Sequence, residues 1–176
     1  MRIQLPELPW NGNTMLEIDL PDSWEVEYCP MRGSRRPLLT VEQMAAAIRE
    51  PIQSPPIREL AEEKKTAVIV FDDMTRPTRT YELAPVVLKE LHDAGIRAED
   101  ITFVCALGAH GALTQDALRR KLGRRILENY RVFNHNPYEN CVYLGTTSYG
   151  TPVMINREVM EATRGRVLAK DGAEGV

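Results

Sequence analysis

Thr66-Ala67-Val68-Ile69-Val70-Phe71, followed at once by Asp72-Asp73-Met74-Thr75-Arg76-Pro77-Thr78, is the stretch on which the reading of the fold turns. The first six residues form a continuous apolar run without the alternation of a half-buried strand. Such a run predicts a parallel central strand covered on both faces. The polar, proline-containing segment after it predicts the loop at that strand's carboxyl end. Beyond the loop, Thr80 predicts an N-cap for a helix over residues 81–94. Leu83, Val87, Leu91 and Ala94 form its apolar stripe, Pro85 lies near its first turn and Gly95 is its stop.

Residues 101–107 repeat the buried-strand pattern, and Gly108-Ala109-His110-Gly111 breaks it. Thr114 then caps a helix over 115–122 that ends at Gly123. Short strands are predicted over 131–133, 141–144 and 151–155. Strand, helix, strand and helix in succession imply βαβ crossovers. The expected fold class is therefore α/β, a mainly parallel sheet with flanking helices.

Upstream, the chain reads as a β-rich lead-in. Leu16-Glu17-Ile18-Asp19-Leu20 and Trp24-Glu25-Val26-Glu27-Tyr28 each alternate apolar and polar residues. With Pro21-Asp22 as turn chemistry between them, they predict a hairpin or small sheet. Thr40 and Gln43 form a capping box for a helix with Val41, Met44, Ala45 and Ile48 on one face. A short helix over 57–64 is expected after Ser54-Pro55-Pro56.

The chain has 176 residues, 43% of them hydrophobic and 27% charged, with a net charge of −3. That balance suits a folded domain and argues against a general binder of nucleic acid or anionic membranes. The start of the chain has no apolar signal core, and no run has the length of a membrane helix. Cys29, Cys105 and Cys141 are odd in number and widely spaced. They form neither a disulfide framework nor a zinc cage, fit a reducing cytoplasm, and each reads as a small buried hydrophobe.

Ligands in open α/β sheets bind outside the carboxyl ends of the strands. Loops 72–79 and 108–114 both occupy that position. In the first, Arg76 offers a planar fork for a carboxylate or phosphate, Pro77 biases Arg76 towards extended backbone, and Thr75 and Thr78 add hydroxyls. The bland alternative is that Asp73 and Arg76 pair and brace the turn. In the second, two glycines flank Ala109-His110, so an imidazole suited to proton transfer near neutral pH stands at the sheet edge. His92 reads as a surface residue favourable to its helix dipole, and His135 as part of a turn. Arg119-Arg120-Lys121 with Arg124-Arg125 reads as a solvated basic face. Asp72 and Asp73 alone do not make a cation site, and no metal ligand is assigned. There is no P-loop and no complete dinucleotide fingerprint.

Taken together, Asp73-Met74-Thr75-Arg76-Pro77-Thr78 and Ala106-Leu107-Gly108-Ala109-His110-Gly111-Ala112-Leu113-Thr114 resemble the N-terminal domain of the lactate racemase family. Leu118-Arg119-Arg120-Lys121-Leu122-Gly123, Val132-Phe133-Asn134-His135-Asn136 and Gly150-Thr151-Pro152-Val153-Met154-Ile155-Asn156-Arg157 extend the resemblance, which spans about residues 15 to 162. It implies an enzyme that racemises or epimerises a small 2-hydroxy acid with a nickel pincer nucleotide. The cofactor takes a hydride from C2 while a histidine removes the hydroxyl proton, and the planar ketoacid is reduced from the other face. By resemblance, Asp73, Met74, Thr75 and Arg76 match the cofactor-binding loop and His110 matches one of two acid/base histidines.

The chain departs from the family at Arg79, usually proline, and at Gly111, commonly arginine. After Ala162 the family continues to a second acid/base histidine, a cofactor-anchoring lysine and a nickel-ligating histidine. Lys170 lacks the glycine-rich context of that lysine. The expectation is a domain over 1–162 followed by a polar tail over 163–176, disordered or truncated. Alone it would be inactive, working with a separate C-terminal half or as a homo-oligomer. The competing classes are a non-catalytic nucleotide- or carboxylate-binding module, and an unrelated α/β domain that makes only protein contacts.

Overall fold

The strand Ile101–Cys105 is buried at every position, and it organises the protein. The computed structural model describes residues 1–12, 14–33 and 36–162. In chain order the elements are β1 (Arg2–Pro6), β2 (Met15–Asp19), α1 (Val41–Arg49), α2 (Ile57–Ala61), β3 (Ala67–Phe71), α3 (Thr80–Asp93), β4 (Ile101–Cys105), α4 (Gln115–Leu122), α5 (Arg124–Asn129), β5 (Arg131–Asn134), β6 (Cys141–Thr146), β7 (Pro152–Asn156) and α6 (Arg157–Ala162). Short 3-10 turns lie at Pro9–Asn11 and Ala98–Asp100.

β3, β4 and β5 form a parallel sheet in that order, with Ile69 opposite Phe103 and Phe103 opposite Val132. The fold is α/β, a parallel sheet flanked by helices with antiparallel strands at the N-terminus. β6 and β7 do not join that sheet but pair with each other, with a register shift between Tyr143 and Gly145.

The core lies around β4. Ile101, Phe103 and Cys105 are fully buried, and Leu88 and Leu91 of α3 with Leu118 and Leu122 of α4 pack against them. Phe103 meets both Phe71 and Tyr130 edge to face. Burying a side chain of this size contributes about 1.5–3 kcal/mol relative to leaving it in water.

Several elements differ from their sequence expectation. β3 was expected to be covered on both faces, but it is an edge strand among the described residues and Val70 is 56% exposed. Among the described residues only β4 has a neighbour on each side, which is why it is the strand buried throughout. The expected strand at Trp24 to Tyr28 is absent and its residues are exposed. β2 pairs instead with β1, tied by Arg2 to Asp19 (2.8 Å) and Gln4 to Glu17 (3.0 Å). Thr80 is the first helical residue and not a cap, whereas Thr40 and Gln43 do form the capping box and Thr114 does cap α4. Cys29 is exposed, not buried. The expected tail over 163–176 lies outside the described residues. Among those residues no helix is long and apolar enough to cross a membrane.

Candidate functional site

Both loops leave the sheet at the carboxyl ends of β3 and β4, and backbone bonds hold them side by side. The amide of Ala106 donates to Phe71 O (2.8 Å), and that of His135 donates to Cys105 O (3.1 Å). In the second loop Leu107 is buried, Gly108 takes the left-handed φ of +58°, and the His110 amide returns to Leu107 O (3.0 Å). At the loop's far end the Asn134 amide group accepts from Leu113 N (3.2 Å) and donates to Leu113 O (3.0 Å). These anchors leave His110 pinned by its backbone, with a side chain 54% exposed.

The imidazole Nδ1 of His110 hydrogen-bonds Asp73 Oδ2. Asp73 is buried at 4% exposure, and its other oxygen accepts from the Thr75 amide (2.9 Å) and hydroxyl (2.5 Å). Burial alone would push the Asp73 carboxyl up. The Thr75 hydroxyl, the His110 imidazole and the Thr75 amide together outweigh it and hold the carboxyl at about 2. An ionised carboxylate can only accept, so Nδ1 carries the proton and the exposed Nε2 of a neutral imidazole is left as the base.

The turn is therefore not braced by an Asp73–Arg76 ion pair. The Arg76 amide reaches Asp73 O (3.3 Å), but its exposed guanidinium makes no ion pair with a described residue. The hydroxyls of Thr75 and Thr78 are likewise turned inwards, Thr78 donating to Asp72 Oδ2 at 2.6 Å. That leaves the Arg76 guanidinium as the loop's free donor for an anion.

Two residues to which the sequence assigns no site role hold this loop from beneath. Lys121 is fully buried, its Nζ 2.7 Å from Asp72 Oδ1 and donating to Arg76 O (3.2 Å) and Thr78 O (3.0 Å). Trp10 donates from Nε1 to Met74 O (2.8 Å), and its ring lies 4.8 Å from Lys121 Nζ. From sequence alone Lys121 belongs to a solvated basic face. Arg119 and Arg120 are indeed exposed, but Lys121 stands three residues from Leu118 and beside Leu122, on the buried stripe of α4. That spacing was the available signal.

The sequence model described as Lactate racemase N-terminal domain matches residues 11–169. The chain belongs to this family. It is 29% identical over 160 residues to the lactate racemase of Thermoanaerobacterium thermosaccharolyticum, covering 89% of this chain and 37% of that protein. It is 29% identical over 123 residues to the lactate racemase of Lactiplantibacillus plantarum, covering 69% of this chain and 29% of that one. The structure of the Thermoanaerobacterium lactate racemase apoprotein superimposes with a TM-score of 0.66 and 27% identity, over 92% of this chain and 37% of that chain. The chain thus spans about a third of the length of these lactate racemases.

Within this lactate racemase N-terminal domain the remaining candidates are placed as follows. His92 is exposed in the last turn of α3, as expected. Its Nδ1 meets Ile96 O and its Nε2 meets Tyr130 OH, each at 2.8 Å, on α3 and away from Asp73. His135 lies at the carboxyl end of β5, 3.3 Å from Asn156 Nδ2. Cys105 is a core residue, its thiol pushed up to about 12 by burial, with Asp73 adding to the effect. Among the described residues no three His, Cys, Asp or Glu are grouped to hold a metal ion.

Proposed function

We propose that residues 1–162 act as one domain that supplies the nucleotide-binding loop and one acid/base group of a 2-hydroxyacid racemase or epimerase. The observation that carries this is the pairing of His110 with a buried, ionised Asp73 on the loop that also presents Arg76, which has no ion pair among the described residues. A free guanidinium at strand ends fits the phosphate of an anionic nucleotide such as a nickel pincer nucleotide. The donor set fits the nucleotide and not the metal, so the assignment to this chain is the phosphate through Arg76. When bound, that cofactor supplies the hydride acceptor.

The protein's part is then proton transfer and placement. His110 Nε2 takes the proton of the substrate hydroxyl as the bond at C2 breaks, and returns it on reduction. Asp73 keeps Nδ1 protonated and steadies the imidazolium formed in the process. Such a base contributes about 10²–10⁴-fold in rate. One imidazole serves one face of the planar ketoacid, so the opposite face needs a second group. In this reading that group comes from the region that the longer relatives carry beyond this domain, in the same or a partner chain. A small 2-hydroxy acid is the substrate, and a reducing cytoplasm suits the three free thiols.

The test is mass and visible absorbance of the protein from a host that makes the cofactor, with AMP titrated calorimetrically into wild type and Arg76→Ala. A bound nucleotide, and an AMP affinity at least tenfold weaker without Arg76, are expected. AMP binding indifferent to Arg76 would overturn the assignment.

A further inference from the structure

We infer that Lys121 and Trp10 are positioning residues that set the conformation from which Arg76 meets its anion. The inference rests on the reading of residues 73–76 as the ligand loop. Three alternate carbonyls of that loop, those of Met74, Arg76 and Thr78, are drawn to the same inner side by the Trp10 Nε1–H and the Lys121 ammonium. The backbone of Arg76 is thereby held at both ends. Its amide donates to Asp73 O (3.3 Å) and its carbonyl accepts from Lys121 (3.2 Å). Pro77 stiffens the next link. Only the side chain of Arg76 remains free, and it is exposed and without an ion pair among the described residues.

A fully buried ammonium in this place is costly unless its charge is paired and its donors are used. Here two carbonyls accept hydrogen bonds from it, the buried Asp72 Oδ1 at 2.7 Å is its ion-pair partner without a hydrogen bond, and the indole face of Trp10 at 4.8 Å adds a cation–π contact. A methionine would fill the same volume more simply, so the lysine's distinguishing contribution is the geometry it imposes on the loop. Trp10 reaches the site from the 3-10 turn between β1 and β2, which Gly12 ends at φ +99°. The N-terminal β1–β2 unit therefore acts as a strap, its one indole pinning the loop 64 residues further along the chain.

The decisive experiment is a double-mutant cycle on AMP binding, read by chemical-shift titration of the full chain with Lys121→Met and Arg76→Ala. Lys121→Met is expected to weaken AMP at least tenfold in the wild-type background and less than twofold once Arg76 is gone. Equal losses in both backgrounds would mean that Lys121 does not act through Arg76, and would overturn the inference. Hydrogen exchange gives a second readout that needs no ligand. The Thr75 and Arg76 amides are expected to exchange at least tenfold faster in Lys121→Met by local opening, while the Val104 amide of β4 speeds up only by the amount that the loss of global stability accounts for. If wild type binds no AMP, the proposed function fails, and exchange alone decides the positioning role. Trp10→Phe keeps the ring under Nζ but removes the bond to Met74 O. It carries the same exchange readout if Lys121→Met does not fold, and unchanged exchange at Thr75 and Arg76 would overturn the inference.

Discussion

The ammonium of Lys121, fully buried at the end of α4, stands 2.7 Å from Asp72 Oδ1 and ties the helix to the loop that follows β3. Removing it leaves the buried Asp72 Oδ1 without its counter-charge and strands two loop carbonyls. Lys121→Met is therefore expected to lower stability by about 2 kcal/mol, read by urea denaturation. Arg120→Met, on the solvent face of the same helix, is expected to change stability by less than ~0.5 kcal/mol. Equal effects at the two positions would contradict the buried role.

Asp73 makes the acid limb of the stability profile predictable. Its carboxyl is held at about 2 in the folded protein, below the ~3.9 of an unfolded chain. The unfolded state thus binds the proton more readily, so this contribution is complete above about pH 5 and is lost as pH falls through 4 towards 2. It amounts to roughly 2–3 kcal/mol. Urea midpoints between pH 2 and pH 6 are expected to show a shallower acid slope in Asp73→Asn than in wild type.

The same pair fixes the tautomer of His110. In nitrogen-15 spectra at pH 9, where an ordinary imidazole is neutral, wild type is expected to show the Nδ1–H form, with Nε2 bare. Asp73→Ala removes the acceptor and is expected to restore a mixture of tautomers. A wild-type ring protonated on Nε2 would remove the geometric basis for His110 as a base.

The two glycines around His110 are not equivalent. Gly108 takes φ +58°, while Gly111 has no left-handed φ, and neither has an atom within 4 Å of an added Cβ. Only backbone strain should therefore distinguish them. Gly108→Ala is expected to cost about 1 kcal/mol and Gly111→Ala less than ~0.5 kcal/mol, by thermal melting.

Much of this was legible in order along the chain. The apolar run at β4, the Thr40 capping box and the Thr114 cap are local patterns, and each became the element it predicts, while the run at β3 became a parallel strand at the sheet's edge and not at its centre. The paired motifs at Asp73–Arg76 and at His110 were legible because residues in sequence carry them. The Trp24–Tyr28 alternation failed because alternation alone does not specify a pairing partner, and β2 pairs with β1 instead.

By itself the sequence determined the α/β class, the two strand-end loops and the family to which those loops belong, because each rests on the order of neighbouring residues. Only the tertiary structure decided how the loops are used. It turned Asp73 towards His110 and away from Arg76, placed β3 at an edge, and drew Lys121 out of an apparent basic face to hold the loop with Trp10. The physical reason is desolvation: a charge that leaves water must be met by partners, and partners 37, 49 or 64 residues away are brought within reach only when the chain folds.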